Sequence, residues 1–328
     1  MTAFVSPLAP VDDATVLLLP GLEVDNLLAF LALLGLLRAI ETARPAWRPR
    51  ASWAGTPWRA RLHLAQEADE REVAIAAGEG IEAIAAAYDV DGRANVNFGS
   101  RDEFHAYARR VRDADVGARL ASALTAEIPA KRDGGLYAAP LVMMFGQGHQ
   151  NFLDRLVAVA RGDLPNRMKK RKPLPNFRDP LKVREALFAP WRRDDDADAF
   201  RWDPGEDQRY ALRYDDPSAA GAAPTVHGAN RLAAIGFLSF ACAPARDRVR
   251  APGTARERGE VWFVWPVWTE PHALRGVEAL LSHPDVLAGE RERVRVIGVI
   301  EIMRARRVAN GKFMNVTRAR PVSGARGA

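Results

Sequence analysis

The chain has 328 residues, of which 48% are hydrophobic; this is enough material for a sizeable core and excludes a generally disordered protein. Its single cysteine, Cys242, excludes an internal disulfide and a cysteine-based zinc site. With 47 Lys and Arg against 41 Asp and Glu, the net charge of +6 favours polyanionic partners, although a chain rich in Arg, Ala, Gly and Pro is also typical of GC-rich coding.

The first predicted elements form an apolar N-terminal region. Residues 17–21 predict a short strand closed by a turn, and Asp25 or Asn26 is expected to cap a helix over residues 27–42. Apolar residues cover nearly every face of this helix, so we expect it to be buried all round; it is shorter than the roughly 20 apolar residues that span a bilayer. The first ten residues also lack the features of a secretory signal, so no membrane segment and a cytoplasmic location are expected.

Three tryptophans then occur among arginines. Trp47, Trp53 and Trp58 lie in a segment whose apolar residues alternate as in a strand. Such a mixture can stack on the bases of a nucleic acid. The favoured interpretation is that the tryptophans anchor the core while the arginine stems cover them.

Three helices and a glycine-rich loop are predicted next. The helices lie over residues 67–88, 101–125 with Ser100 as its cap, and 152–161. A polar loop precedes the third helix, and its backbone N–H groups could bind an anion. The loop lacks the Gly-Lys-Ser/Thr ending of a phosphate-binding loop, so a turn that starts the helix is the favoured alternative. The residues predicted for the anion site are Gly146, Gly148 and His149.

A run of basic residues with prolines at both ends follows this helix. Its five cations, Arg167, Lys169, Lys170, Arg171 and Lys172, fall within six consecutive positions and cannot all be buried. Four of the six lysines of the chain lie between residues 169 and 182, and GC-rich coding does not explain a cluster of lysines. The run predicts a loop that grips nucleic-acid phosphates, and a solvated loop without a ligand is the alternative.

The next stretch, residues 194–207, is acidic. Clustered carboxylates can hold divalent metal ions for phosphodiester cleavage, so this is the stretch in which a nuclease site would be built. The carboxylates follow one another in a segment with Pro and Gly, and no histidine or general base lies nearby. A solvated linker is therefore the favoured interpretation.

The C-terminal part combines one more apolar helix with strands. The helix is predicted over residues 231–241 with Asn230 as its cap, and strands are predicted over residues 261–268 and 294–308. The dipeptide Asn310-Gly311 is typical of a type I′ turn, so a C-terminal β-hairpin is expected. Its faces are expected to carry a second set of nucleic-acid-binding cations, namely Arg304, Arg306, Arg307 and Lys312, with Arg318 and Arg320 beside them.

Signatures of catalysis are missing from the sequence. The six histidines are scattered, and no two have the spacing of metal ligands on one helix. There is no Gly-x-Ser-x-Gly elbow, no phosphate-binding loop with its lysine, and no helicase or kinase motif. The sequence therefore predicts a protein that is not an enzyme, with no catalytic residue, metal or cofactor.

Four segments together resemble known proteins. They are LPGL with NLLAFLALLGLLR over residues 19–38, RWDPGEDQRYALR over 201–213, HGANRLAAIG over 227–236, and EIMR with GKFMNVT over 301–317. In this order they resemble subunits of type I-G (formerly I-U) CRISPR systems, in particular the large-subunit-like and helicase-associated extension families. The resemblance implies a part in a crRNA-guided DNA surveillance complex, in which base pairing reads the sequence and protein subunits hold the backbones.

These observations predict an α+β protein with buried helices, mixed or antiparallel strands and a C-terminal β-hairpin. Two closely packed parts, residues 1–161 and 201–328, are expected on either side of a basic and acidic linker region over 162–200. The expected function is a non-catalytic subunit that holds DNA or crRNA phosphates through basic loops, alongside other subunits of a CRISPR effector. The alternatives are a metal-dependent nuclease that uses the carboxylates of residues 194–207, and a protein–protein adaptor that docks a helicase-nuclease.

Overall fold

The computed structural model describes residues 12–128, 135–143, 151–163, 178–205, 224–245, 248–310 and 313–322, and in these ranges the chain is an α+β protein, as predicted. The helices are α1 (Leu27–Ala43), α2 (Glu70–Ala86), α3 (Arg101–Val111), α4 (Asp115–Leu124), α5 (Phe152–Arg161), α6 (Pro180–Phe188), α7 (His227–Gly236), α8 (Leu274–Ser282), α9 (Pro284–Ala288) and α10 (Arg291–Val294). The strands are β1 (Thr15–Glu23), β2 (Arg50–Ala54), β3 (Arg59–Leu64), β4 (Thr125–Glu127), β5 (Leu136–Ala138), β6 (Ala243–Ala245), β7 (Arg248–Arg250), β8 (Thr254–Glu257), β9 (Glu260–Trp268), β10 (Val299–Asn310), β11 (Phe313–Val316) and β12 (Arg320–Pro321).

The strand pairs of the described residues are antiparallel. An N-terminal sheet has the order β1-β3-β2, and a C-terminal sheet has the order β11-β10-β9-β8, with β12 paired to β10. Two further pairs, β4-β5 and β6-β7, form small sheets of their own. Strand β8 therefore lies at one end of the C-terminal sheet, with a free edge.

Helix α1 forms the centre of the core. Asn26 caps it as predicted, because its side-chain oxygen accepts hydrogen bonds from the N–H groups of Leu28 at 2.9 Å and Ala29 at 3.4 Å. The helix packs on α7 with the two backbones in close approach, since a Cβ atom on Gly35 would lie 1.8 Å from the carbonyl oxygen of Leu232. A larger residue at this crossing would force the helices apart.

Two helices differ from their predicted bounds. Helix α7 begins at His227, so Asn230 lies inside the helix and does not cap it. Its amide instead donates hydrogen bonds to Thr225 Oγ1 and to the carbonyl of Val226. The helix predicted over residues 101–125 is divided into α3 and α4, although Ser100 caps α3 as expected.

The hairpin of β10 and β11 is present, but its turn differs by one residue from the prediction. Asn310 pairs with Phe313 as the last residue pair of the two strands. The two residues between the strands are Gly311 and Lys312, outside the described residues, and Asn310 belongs to the strand. The Asn-Gly dipeptide correctly predicted where the hairpin lies. The register of the two strands places Asn310 in the last residue pair.

The region predicted as a linker, residues 162–200, contributes to the fold where it is described. Helix α6 packs against α2, α7 and β1, and Val183, Ala186 and Leu187 are buried. The main hydrophobic core includes side chains from both the N-terminal and the C-terminal parts. Among the described helices, none combines the length and apolarity that crossing a bilayer requires.

Candidate nucleic-acid interface

The C-terminal sheet sorts its cations onto two faces. Successive side chains of a strand point to opposite faces, so Arg304 and Arg306 of β10 share one face and Arg307 lies on the other. Arg306 pairs with Trp262 of β9, which places this tryptophan on the first face. Val261 precedes Trp262 in β9 and therefore points to the second face. Arg256 of β8 pairs with Val261, so it lies on the second face with Arg307. The two faces form different grooves.

The tryptophan groove is the groove on the first face, with a volume of about 590 Å³. Its arginines have carboxylate partners: Arg304 lies 2.7 Å from Glu257, and Arg306 lies 3.0 Å from Glu260. The guanidinium of Arg304 also covers the ring of Trp262, 4.2 Å from the ring centroid. The residues that line this groove are Trp262, Arg304, Arg306, Thr317, Arg318, Arg320, Pro321 and Val322.

A third arginine of the tryptophan groove is held in the same way. Arg318 Nη1 lies 2.9 Å from carboxylate oxygens of Glu23 and of Asp25, at the end of β1. Arg320 is exposed at the rim. Because carboxylates neutralise most of its cations, this groove attracts anions less strongly than its number of arginines suggests.

The arginine groove is the groove of about 540 Å³ between the β6–β7 pair and the edge strand β8. Its cations are Arg248 and Arg250 on β7 and Arg256 on β8, all three exposed. The described residues that line the groove include no Asp or Glu, and none of these three arginines has an ion pair within the described ranges. The lining residues are Pro140, Ala245, Arg248, Val249, Arg250, Thr254, Ala255, Arg256, Val261, Leu287 and Ala288.

The alternation of β7 explains why its arginines face the groove. Val249, between them, is buried in a small core with Ala126 and Ile128. In a strand the residues on either side of an inward-pointing one face outwards, so Arg248 and Arg250 are directed to the same side. The packing of one valine thus sets the position of two cations.

Arg307 adds a fourth positive charge next to the arginine groove. Its Nη1 donates a hydrogen bond to the carbonyl of Pro140, one of the lining residues, at 3.3 Å. Burial lowers the pKa of Arg307 below the usual arginine value, and the like charge of Arg256 lowers the pKa further. An anion between these arginines would relieve their repulsion, and the planar guanidinium donates well to phosphate oxygens.

The structure separates the residues predicted to bind nucleic acid. Arg304 and Arg306 lie in the tryptophan groove and are ion-paired, whereas Arg307 lies beside the arginine groove. Several predicted residues lie outside the described residues, so their interactions remain predictions. These are Gly146, Gly148, His149, Arg167, Lys169, Lys170, Arg171, Lys172 and Lys312.

Sequence reasoning missed the three arginines that line the arginine groove. The pattern Arg248-Val249-Arg250 was a usable signal, because it has the period of a strand with two cations on one face. The absence of carboxylate partners was not readable, since it depends on which strands lie side by side.

Three carboxylates of the acidic stretch 194–207, namely Asp195, Asp198 and Asp203, hold the fold together, which corrects the interpretation of this part as a solvated linker; Glu206 and Asp207 lie outside the described residues. Asp203 is buried and accepts hydrogen bonds from Asn26 Nδ2 at 3.0 Å and Arg193 Nε at 2.8 Å. Asp195 and Asp198 pair with Lys182 at 2.7 Å and with Arg155 at 2.9 Å. Within the described ranges, no three His, Cys, Asp or Glu side chains converge in a way that could hold a metal ion.

A hydrogen-bonded Ser52–His63–Asp13 array has the atom order of a catalytic triad. Ser52 Oγ lies 2.8 Å from His63 Nε2, and His63 Nδ1 lies 2.8 Å from Asp13 Oδ2. Ser52 is only 3% exposed. The backbone N–H of the preceding residue, Ala51, already donates a hydrogen bond to the carbonyl of His272 at 2.8 Å, so it does not serve an oxyanion hole. The array therefore joins β2, β3 and the chain before β1.

Cys242 is the single cysteine of the chain. Burial raises the pKa of its thiol to about 12, so the reactive thiolate is disfavoured at neutral pH.

Comparisons with known proteins do not assign a family. No protein-family model matches the chain, and neither a curated protein nor a solved structure matches it at a significant level. The function is therefore argued from the two grooves and from the residues of this chain.

Proposed function

We propose that this chain is a non-catalytic nucleic-acid-binding protein that holds backbone phosphates in the arginine groove. The observation that carries the proposal is the set of three exposed arginines, Arg248, Arg250 and Arg256, without a carboxylate partner among the described residues. Glutamates neutralise Arg304 and Arg306 in the other groove. The three arginines of the arginine groove are therefore the cations that we assign to a ligand.

A polyanion suits this groove better than a small anion. The arginines lie on two strands along an open groove, so several phosphates in a row can be bound at once. Each contact releases counterions from the nucleic acid, and the contacts add along the strand. The basic run of residues 167–172 is the second set of phosphate contacts that the sequence predicts.

The resemblance to type I-G CRISPR subunits supports a place in a crRNA-guided DNA surveillance complex. In such a complex the guide reads the sequence by base pairing, and the proteins mainly hold backbones. A groove of arginines, whose guanidinium groups donate to phosphate oxygens, fits that task. DNA or crRNA and the other subunits of the effector are the partners that the proposal implies.

The test is the salt dependence of binding to a labelled single strand, measured by fluorescence anisotropy between 50 and 200 mM salt. We expect Arg248→Ala, Arg250→Ala and Arg256→Ala together to reduce the log–log slope by about 2, at roughly 0.7 per phosphate contact on a single strand. A control with the same charge change carries Arg110→Ala, Arg184→Ala and Arg293→Ala, because these exposed arginines are already ion-paired. Equal slopes for the two triple variants would contradict the proposal.

A hydrolase is the second candidate, and the Ser52–His63–Asp13 array is the observation that favours it. A fluorophosphonate probe distinguishes the two, since it labels an activated serine and leaves a structural one unmodified. Incubation of the protein with labelled DNA and RNA in Mg²⁺ or Mn²⁺ tests the nuclease alternative in the same way. Labelling at Ser52, or cleavage that co-purifies with the protein, would overturn the non-catalytic assignment.

A further inference from the structure

The tryptophan groove contains an aromatic surface on the face of the sheet opposite to the arginine groove. Arg304 is held from one side by Glu257 at 2.7 Å and lies over the ring of Trp262 at 4.2 Å. Trp262 itself is half-buried and lines this groove, and nucleobases stack on aromatic rings. This surface is therefore prepared for one flat ligand.

The charge balance of this groove favours an uncharged ligand. Glu257 and Glu260 neutralise Arg304 and Arg306, so the groove has little net attraction for phosphate. Pro321 and Val322 add apolar surface to its wall. A base has no charge and a large π-face, whereas a phosphate would compete with carboxylates that are already bound.

The two grooves lie on opposite faces of the C-terminal sheet, and β8 lies at the end of this sheet. Arg256 lies on the side of the arginine groove, and Arg258 is exposed in the connection between β8 and β9. Beyond this connection lie Glu260 and Trp262, on the face of the tryptophan groove. Within the part of the chain that the structure describes, Arg258 has no ion pair, whereas Glu257 and Glu260 on either side of it are paired with Arg304 and Arg306.

A single strand can serve both grooves and a duplex cannot. To reach both grooves, a nucleic acid has to pass from one face of the sheet to the other. Duplex DNA has a persistence length of about 150 base pairs and resists such a bend, while an unpaired strand rotates freely about its backbone bonds.

We infer that the tryptophan groove is a stacking site for an unpaired nucleobase, and that the nucleic acid held by this sheet is single-stranded. The inference rests on the proposed function, because the arginine groove supplies the phosphate contacts that bring the base to Trp262. The base lies against Arg304 and Trp262, and the backbone crosses the edge at Arg258.

The experiment compares an oligothymidine of 20 residues with an abasic strand of the same length, which keeps the phosphates and lacks the bases. For the wild-type protein, we expect the loss of the bases to weaken binding about tenfold at constant salt. Trp262→Leu should bind both strands with similar affinity while it keeps the salt slope of the wild type. Trp58→Leu is the matched control, since Trp58 is also partly buried and lies in the N-terminal sheet region.

The outcomes separate this inference from the proposed function. Equal binding of both strands by the wild type would overturn the stacking site even if Trp262→Leu failed to fold, and salt-dependent binding to the arginine groove would then still stand. A fully paired duplex that binds as tightly as the single strand would overturn the single-stranded assignment. Absence of binding to any of these strands would overturn the proposed function and the inference together.

Discussion

The two grooves of the C-terminal sheet contain similar numbers of arginines and differ in how those charges are neutralised. In the tryptophan groove, Glu257 and Glu260 lie within 3.0 Å of Arg304 and Arg306. In the arginine groove, the described lining residues include no carboxylate. The difference teaches that the density of arginines does not identify a binding surface in a basic protein. Whether each arginine already has a partner is the more informative property.

The largest expected effect is on stability, and it concerns the buried ion pair of Asp203 and Arg193. Replacing Asp203 with Ala should lower the free energy of unfolding by about 3–5 kcal/mol, since it leaves the Arg193 guanidinium without its buried partner. Urea denaturation measures this loss. The exposed pair of Glu70 and Arg184 provides the control, and Glu70→Ala should cost at most about 1 kcal/mol. Loss of nucleic-acid binding by correctly folded Asp203→Ala would mean that paired charges also serve the ligand.

Local signals in the sequence were sufficient for much of the fold. Asn26 caps α1 as expected, because a capping side chain acts on N–H groups two and three residues away. Asn230 carries the same signal, yet it lies within α7 and bonds to Thr225 and Val226. The choice between a cap and a first-turn position depends on how Thr225 and Val226 are held by the rest of the chain, and no local pattern contains that information.

The candidate site was less predictable because its properties arise between distant segments. Asp203 looked solvated in a run of carboxylates, but its partner Asn26 is 177 positions away in sequence. Arg304 looked free on a hairpin, but Glu257 reaches it from across the sheet. The alternation of Arg248 and Arg250 was visible in the sequence, whereas the lack of carboxylate partners among the described residues depends on strand order.

The second prediction concerns the basic run, which lies outside the described residues and could carry more phosphate contacts than either groove. If the basic run carries most of the phosphate contacts, replacing Lys169, Lys170, Arg171 and Lys172 with Ala should flatten the salt slope by about 3, at 0.7 to 0.9 per contact. We expect the melting temperature to be unchanged, because five cations in six positions cannot be buried in the core. An unchanged slope would make the run a solvated loop and leave the arginine groove as the main contact.

The smallest expected effect comes from removing two carboxylates of the tryptophan groove, which makes Arg304 and Arg306 unpaired, as the arginines of the arginine groove are within the described residues. Glu257→Gln with Glu260→Gln releases Arg304 and Arg306 from their ion pairs. Binding to a single strand should become a few times tighter, and the salt slope should rise by at most about 1.4 for two new contacts. Glu70→Gln with Glu79→Gln is the control, because both residues pair with exposed arginines elsewhere. A change of the same size in the control would show that only net charge matters.

Arginine footprinting tests the central claim most directly. The protein is treated with phenylglyoxal in the presence and absence of a saturating single strand, and modification of each arginine is measured by mass spectrometry. The account predicts that the strand protects Arg248, Arg250 and Arg256, while the exposed and ion-paired Arg110 and Arg293 react equally in both samples. Equal modification of the three groove arginines with and without the strand, under conditions where the strand is bound, would contradict the account.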